Sequence, residues 1–280
     1  MNASINRIGA LLLRHFYLLR GSPIRIGEII YLPTVQMLLW GFVAQFLTQS
    51  LQAAGGAGGS GNSASSALAT QLPALLISGV LLWEVLFRAQ VGVALSFLEE
   101  IYARNLGHLF VTPLRMGEWI AALFVMGLLR TVLGVGVAAA LAFAVHRLAV
   151  VDLGLPLVAF FANLMVLGWA FGLIACALVV RYGVAAENFA WGTVFAIAPL
   201  CGIYYPVATL PAWVQPISYA IPASHVFEGM RAVAQGKGFM WDHFWWAVGL
   251  NVLYMIVALA CLRMALASAR KLGLLLQTGD

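Results

Sequence analysis

Glu84 and Arg88 stand four residues apart in a largely apolar stretch, Thr70 to Phe97, that is otherwise uncharged. Arg130 stands alone in a second such stretch, from Trp119 to Val145. Four residues is just over one helical turn, so Glu84 and Arg88 share a helix face. At 1.5 Å per residue, Glu84 lies roughly 21 Å and Arg88 roughly 15 Å from Leu98, and Arg130 lies roughly 18 Å from Glu118. All three therefore fall at similar depth if both stretches cross a bilayer. An isolated charge near the midplane costs at least about 2.5–3.5 kcal/mol, which predicts that the three pair with one another. Such a cluster has two uses. It can line a transport route or a dimer seam as a polar patch, with Glu84 as proton carrier in an ion-coupled transporter. It can equally lock one helix to the next as a structural ion pair.

A second group lies in the polar segment 98–113. Leu98, Glu99, Glu100, Tyr102, Arg104, Leu106 and His108 mix both signs of charge with apolar residues at helical spacing. A short helix of this kind can seat its apolar side in a groove of a soluble partner, with rim charges fixing register; the plainer reading is a loop that joins two spans. A third group sits in the Pro-rich segment 206–238, with Pro211, Trp213, Pro222, His225, Glu228 and Arg231. Glu228 and Arg231, three apart, are expected to pair, with His225 beside them as a structural donor. Gly168 and Gly172 form a G-x-x-x-G pair that lets helices approach closely, either inside one subunit or between two copies.

Several chemistries are excluded. A P-loop needs G-x-x-x-x-G-K-[ST] to cradle phosphate. Gly236-Lys237-Gly238 lacks both the spacing and the hydroxyl. Neither H-E-x-x-H nor G-x-S-x-G occurs, and the five histidines are scattered singly. Cys176, Cys201 and Cys261 lie in apolar runs without a C-x-x-C neighbour, which marks them as packing residues. No cofactor or metal site is expected in the chain, and no catalytic residue. Energy for any work must come from a separate subunit or from an ion gradient.

The elements that position these residues follow from composition. Apolar residues make up 63% and charged residues 9% of 280 residues, against roughly 45–50% and about 25% in a soluble domain. Lipid offers backbone amides no water, so spanning segments are helices or closed barrels. Barrel strands would alternate over about 10 residues, whereas these runs are twice as long and do not alternate. The expectation is an all-α polytopic membrane protein, one domain over residues 1–280, with six transmembrane helices. The spans fall near Ile26–Thr48, Thr70–Phe97, Trp119–Val145, Leu155–Val180, Asn188–Tyr205 and Phe244–Leu266.

Residues 3–20 read as an amphipathic interfacial helix. Ile5, Ile8, Leu12, Phe16 and Leu19 share one face, and Arg7 and Arg14 point toward headgroups from the other. Arg14 and His15 break the first apolar run, so no cleavable signal peptide is expected. Ser50–Ala67, rich in Gly, Ser and Ala, reads as a flexible loop. The 206–238 segment is too broken for a span and too apolar for a wet loop, and reads as external re-entrant helices between spans 5 and 6.

Lys and Arg set the orientation. With the N-terminus inside, ten basic residues from Arg7 to Lys271 flank the spans on the cytoplasmic side, while Arg147, Arg231 and Lys237 lie outside. Both termini are then cytoplasmic, in a bacterial inner membrane. The net charge of +5 is accounted for by these flanks and does not suggest nucleic acid.

Three stretches carry a resemblance. Phe97-Leu98-Glu99-Glu100-Ile101-Tyr102-Ala103-Arg104-Asn105-Leu106-Gly107-His108-Leu109-Phe110-Val111-Thr112-Pro113-Leu114-Arg115, with Glu118 after it, resembles the cytoplasmic segment of ABC-2 type permeases, the membrane subunits of type V ABC exporters. Pro206-Val207-Ala208-Thr209-Leu210-Pro211-Ala212-Trp213 is similar to the external Pro-rich segment of that family. Pro222-Ala223-Ser224-His225-Val226-Phe227-Glu228-Gly229-Met230-Arg231 resembles its Pro…Glu-x-x-Arg element. Where the family usually has Arg-Gly-Thr/Ser, this chain has Arg104-Asn105-Leu106-Gly107. The resemblance implies a permease dimer, homo- or heteromeric, carrying two ATP-binding subunits that supply ATP and Mg. It also implies that 98–113 is the coupling helix each ATPase grips, and that the cargo is amphiphilic or hydrophobic: a drug, lipid or glycan-like molecule.

Overall fold

The computed structural model describes residues 2–56, 63–103, 113–146 and 154–271. Those residues are mostly helical, with no strand among them. Among the described residues nine α-helices follow one another: α1 (Asn2–Arg20), α2 (Pro23–Gly56), α3 (Ser63–Tyr102), α4 (Met116–His146), α5 (Leu155–Tyr182), α6 (Glu187–Ile197), α7 (Gln215–Tyr219), α8 (Pro222–Ala234) and α9 (Trp241–Lys271).

Five of them are long and apolar enough to cross a membrane: Pro23–Ala53, Leu75–Tyr102, Met116–Ala144, Pro156–Tyr182 and Trp241–Lys271. The shortest of these is 27 residues, about 40 Å of helix against a hydrocarbon core of about 30 Å, so the helices tilt or their ends project. The fifth expected span is not one long helix. α6 stops at Ile197, a 3-10 turn covers Ala198–Leu200, and Gly202 takes a left-handed φ of 63°. Pro199 removes a backbone donor there, and a side chain at Gly202 would be strained in that conformation. Helix also extends past the expected limits elsewhere. α2 and α3 take in residues 50–56 and 63–67 of the segment read as a flexible loop, and α3 continues five residues beyond Phe97.

α3 is the central helix, nearly every residue from Leu76 to Glu100 being buried. α4 runs antiparallel to it, with Gly92 facing Gly127 and Phe97 tilted against Trp119. α5 runs parallel to α3, and Gly168 and Gly172 let the backbones meet. A Cβ on Gly168 would lie 2.5 Å from Ala89 Cβ, and one on Gly172 2.7 Å from Val93 Cβ. α9 runs parallel to α5, tied to it near both ends by Asn251 Nδ2 on Asn163 Oδ1 at 3.0 Å and Arg181 on Ser268 at 2.7 Å. One core cluster, around Leu86, Leu164, Phe171 and Phe227, joins α3, α5 and α8 in one half of the bundle. A second, around Phe97, Trp119, Leu123, Leu173 and Leu262, joins α3, α4, α5 and α9 in the other and takes in Leu11 of α1.

Candidate functional site

The charged residues of the second half collect at one end. Three glutamates, all at most 8% exposed, come from the last turns of α3 and the first turn of α4: Glu99, Glu100 and Glu118. Buried carboxylates must be paired, and α1 and α2 bring the partners. Arg7 grips Glu118 with a two-pronged fork at 2.9 and 2.6 Å, the geometry in which arginine binds carboxylate best. Arg14 Nη1 donates to both oxygens of Glu100 at 2.6 Å. His15, buried beside it, has Nδ1 2.9 Å from the Leu11 carbonyl and Nε2 3.7 Å from Glu100. Glu99 accepts from two sides, from Arg25 of α2 at 2.8 Å and from Arg130 of α4 at 3.1 Å.

This arrangement changes several expectations. Arg7 and Arg14 face the bundle, not headgroups, while Ile5, Leu13, Phe16 and Tyr17 are exposed on the outer face of α1. The need of Glu100 and Glu118 for partners decides which way the helix turns. Arg130 pairs with Glu99 rather than with Glu84. It does lie level with Arg88: Gly92 faces Gly127, and both Ala89 and Arg130 stand three residues above that contact. A side chain on a helix leans toward its own N-terminus. Arg130 therefore leans toward the α1 end and Glu99 leans up from it, so in this antiparallel pair they meet. Leu98, Glu99 and Glu100 hold internal contacts instead of forming an exposed partner-binding rim. Tyr102 is exposed (58%) and hydrogen-bonds Glu187 at the start of α6. Arg104, Leu106 and His108 lie outside the described residues.

Glu84 and Arg88 pair along α3 at 3.3 Å, with Glu28 of α2 within electrostatic reach of Arg88. Gly168 and Gly172 both serve packing inside the chain. At the far end, Glu228 accepts the backbone N–H of Val207 at 2.7 Å and a guanidinium N–H of Arg231 at 2.9 Å. Arg231 also donates to the Gly202 carbonyl at 2.6 Å. The pair thus clasps the 202–207 loop onto α8, which is buried along most of its length. Pro222 opens α8 and is buried, and the Pro211 carbonyl accepts from Val214 N at 2.8 Å. Trp213 is 75% exposed, an amphipathic ring of the kind that settles at a membrane surface.

Sequence reasoning missed the pairing of α1 with the three glutamates. The signal was present: Arg7 and Arg14 are seven apart, two helical turns, and so share a face that needs acids opposite.

The sequence pattern of the ABC-2 type transporter family matches residues 8–234. The chain belongs to that family. No curated protein matches it at a significant level. As an ABC-2 membrane domain it is a multi-pass transmembrane permease of an ABC transporter, of a family that works with an ABC ATP-binding partner and generally as a dimer.

The junction gives this permease a specific vulnerability. Arg14→Ala removes the guanidinium that holds both oxygens of the buried Glu100 carboxylate and should loosen α1. With Leu11→Cys as reporter in a Cys261→Ser background, thiol labelling is expected to speed up about tenfold, equivalent to about 1.4 kcal/mol of lost docking. Unchanged labelling would show that α1 is held by its apolar contacts alone.

Proposed function

We propose that the chain is the membrane half of an ATP-driven exporter of amphiphilic or hydrophobic cargo, worked through the α1–α3–α4 junction. The observation that carries this reading is the continuity of α3. It runs unbroken from the central core, through Glu84 and Arg88, to Glu99 and Glu100, and there it is tied to α1, α2 and α4 by ion pairs. The segment that follows Tyr102 is where two ATP-binding subunits, one per permease copy, would grip. A push on that segment reaches a rigid four-helix joint before it reaches anything soft. Coupling of this kind requires two states that bind ATP differently, and the joint offers an element able to rock as one body.

The permease copies would face each other in a bacterial inner membrane with both termini cytoplasmic, an orientation supported by the excess of Lys and Arg on that side. Cargo would pass between them. A groove of about 750 Å³ between the end of α5 and α6, with Leu178, Tyr182, Ala186 and Gly192 in its wall, suits an apolar molecule better than an ionic one. The far-end α7–α8 hairpin, with α8 packed against α5 and α9, would close the route as a re-entrant element. Against an ion-coupled carrier built on Glu84 stands the Arg88 guanidinium, which already occupies that carboxylate.

The test uses the permease together with its ATP-binding subunit in lipid. Tyr102→Asp sets a second carboxylate against Glu187, and Leu106→Asp places a charge in the coupling segment. Both are expected to abolish cargo-stimulated ATP turnover while leaving the thermal melt of the permease within a few degrees of wild type. Stimulation at the wild-type level in both variants would reject the coupling role.

A further inference from the structure

His225 and His243 take no part in the junction and stand at the opposite end of the bundle. His225 lies on α8 and is buried, and His243 is in the first turn of α9 and half-buried. Their Nδ1 atoms are 3.0 Å apart, and His225 Nε2 is 2.9 Å from the Tyr219 carbonyl. A carbonyl only accepts, so His225 Nε2 carries the hydrogen and its Nδ1 presents a lone pair toward His243. The ring is further fixed between Tyr219, at a centroid distance of 5.7 Å, and Trp246, nearly parallel at 12°.

A neutral imidazole that gives one N–H to a backbone carbonyl and turns its other nitrogen outward is the arrangement found behind metal-bound histidines. We propose that His225 Nδ1 and His243 Nδ1 form a two-imidazole site for a borderline transition-metal dication of the zinc class, clasping α8 to α9. Binding asks little of the protein. Two nitrogens on one tetrahedral zinc, at about 2.0–2.1 Å each, stand about 3.3 Å apart, a few tenths beyond the present separation. His243, being half-buried, has room to make that shift. Its proton, now on Nδ1 in the shared hydrogen bond, moves to Nε2, so that both Nδ1 lone pairs meet the ion and no net proton is lost.

Water completes the coordination shell, because no group of three or more metal-ligating side chains forms among the described residues. Affinity therefore falls short of that of a closed four-ligand structural site. Nitrogen donors select zinc, copper or nickel over magnesium and calcium, which take oxygen. Because Glu228 and Arg231 of the same helix hold the 202–207 loop, an ion bridging α8 to α9 would stiffen the whole far-end hairpin.

The experiment is a titration of the chelator-stripped, untagged permease in detergent with zinc chloride, followed by calorimetry and thermal melting, with magnesium chloride in parallel. His243→Gln is the diagnostic variant, since its side chain is half-buried and its loss leaves no cavity in the core. The expected result is one zinc per chain at micromolar concentration, a raised Tm, no response to magnesium, and at least a tenfold loss of affinity in His243→Gln, as losing even a supporting group of a metal site brings about. Zinc binding only at millimolar concentration, or equal affinity in wild type and His243→Gln, would overturn the proposal. A cobalt titration offers a second readout: tetrahedral visible absorption that His243→Gln abolishes.

Discussion

Replacing Glu99 with leucine should cost the folded permease about 3–5 kcal/mol, the usual penalty for removing one partner of a buried ion pair. Arg130 is 4% exposed, and the Glu99 carboxylate is its hydrogen-bonded partner among the described residues. Its Nε and Nη1 already lack partners there. Without Glu99 a full positive charge remains on a helix face packed against α3. Arg25, at 45% side-chain exposure, can turn to solvent and suffers less. The prediction therefore has an internal control: Arg25→Ala should cost well under half as much as Glu99→Leu. The double variant Glu99→Leu with Arg130→Met should recover most of the loss, because two apolar groups of similar volume replace the pair. Glu84→Gln should give no such rescue of Arg130→Met, since Glu84 pairs with Arg88. Melting temperatures in detergent across these five variants decide the matter. Equal losses in Arg25→Ala and Glu99→Leu would show that the pair is solvated and the junction soft.

Much of the fold was legible because lipid leaves few choices. Runs of apolar residues longer than a bilayer is thick must be helices, and five of the six expected spans are long helices at nearly the expected places. The fifth, Asn188–Tyr205, is not one long helix, because hydropathy registers Ala198-Pro199-Leu200-Cys201 as apolar but does not register that the helix stops at Pro199 and Gly202. The depth of Arg88 and Arg130 could be counted from the rise per residue. The partner of Arg130 could not, because pairing depends on which way a side chain leans and on the stagger between helices. The face of α1 was inverted for a related reason. An amphipathic pattern divides a helix into two faces but does not say which meets protein, and here the buried acids of α3 and α4 outweigh the apolar stripe. At the site, the sequence singled out residues 98–102 by their mixed charge and apolar spacing. The burial of Leu98, Glu99 and Glu100 was not foreseen, since a mixed-charge segment reads as exposed unless its distant partners, Arg14 in α1, Arg25 in α2 and Arg130 in α4, are known.

Gly168 yields the second large effect. A Cβ there would stand 2.6 Å from the Leu86 carbonyl oxygen and 3.1 Å from the Gln90 nitrogen, as well as against Ala89. Two of those three obstacles are backbone, so no rotamer change relieves them and α3 and α5 must separate. Gly168→Ala is expected to destabilise by about 1–3 kcal/mol, the range for overpacking a tight core, and Gly168→Leu by more, to the point of losing folded yield. Ala89→Gly should restore only part of the Gly168→Ala loss, because it removes the methyl and leaves the backbone contacts. Gly249 of α9, with nothing within 4 Å of its Cβ position, supplies the contrast: Gly249→Ala should be neutral or stabilising by about 0.5–1 kcal/mol, since alanine favours the helix. The same pair separates the two readings of the G-x-x-x-G motif. Contact within one chain lowers the melting temperature at every protein concentration, whereas contact between copies would shift the dissociation of the dimer and leave the melt of the separated chain alone. A Gly168→Ala variant that melts like wild type but dissociates on dilution would place this face at the seam between copies and remove it from the core.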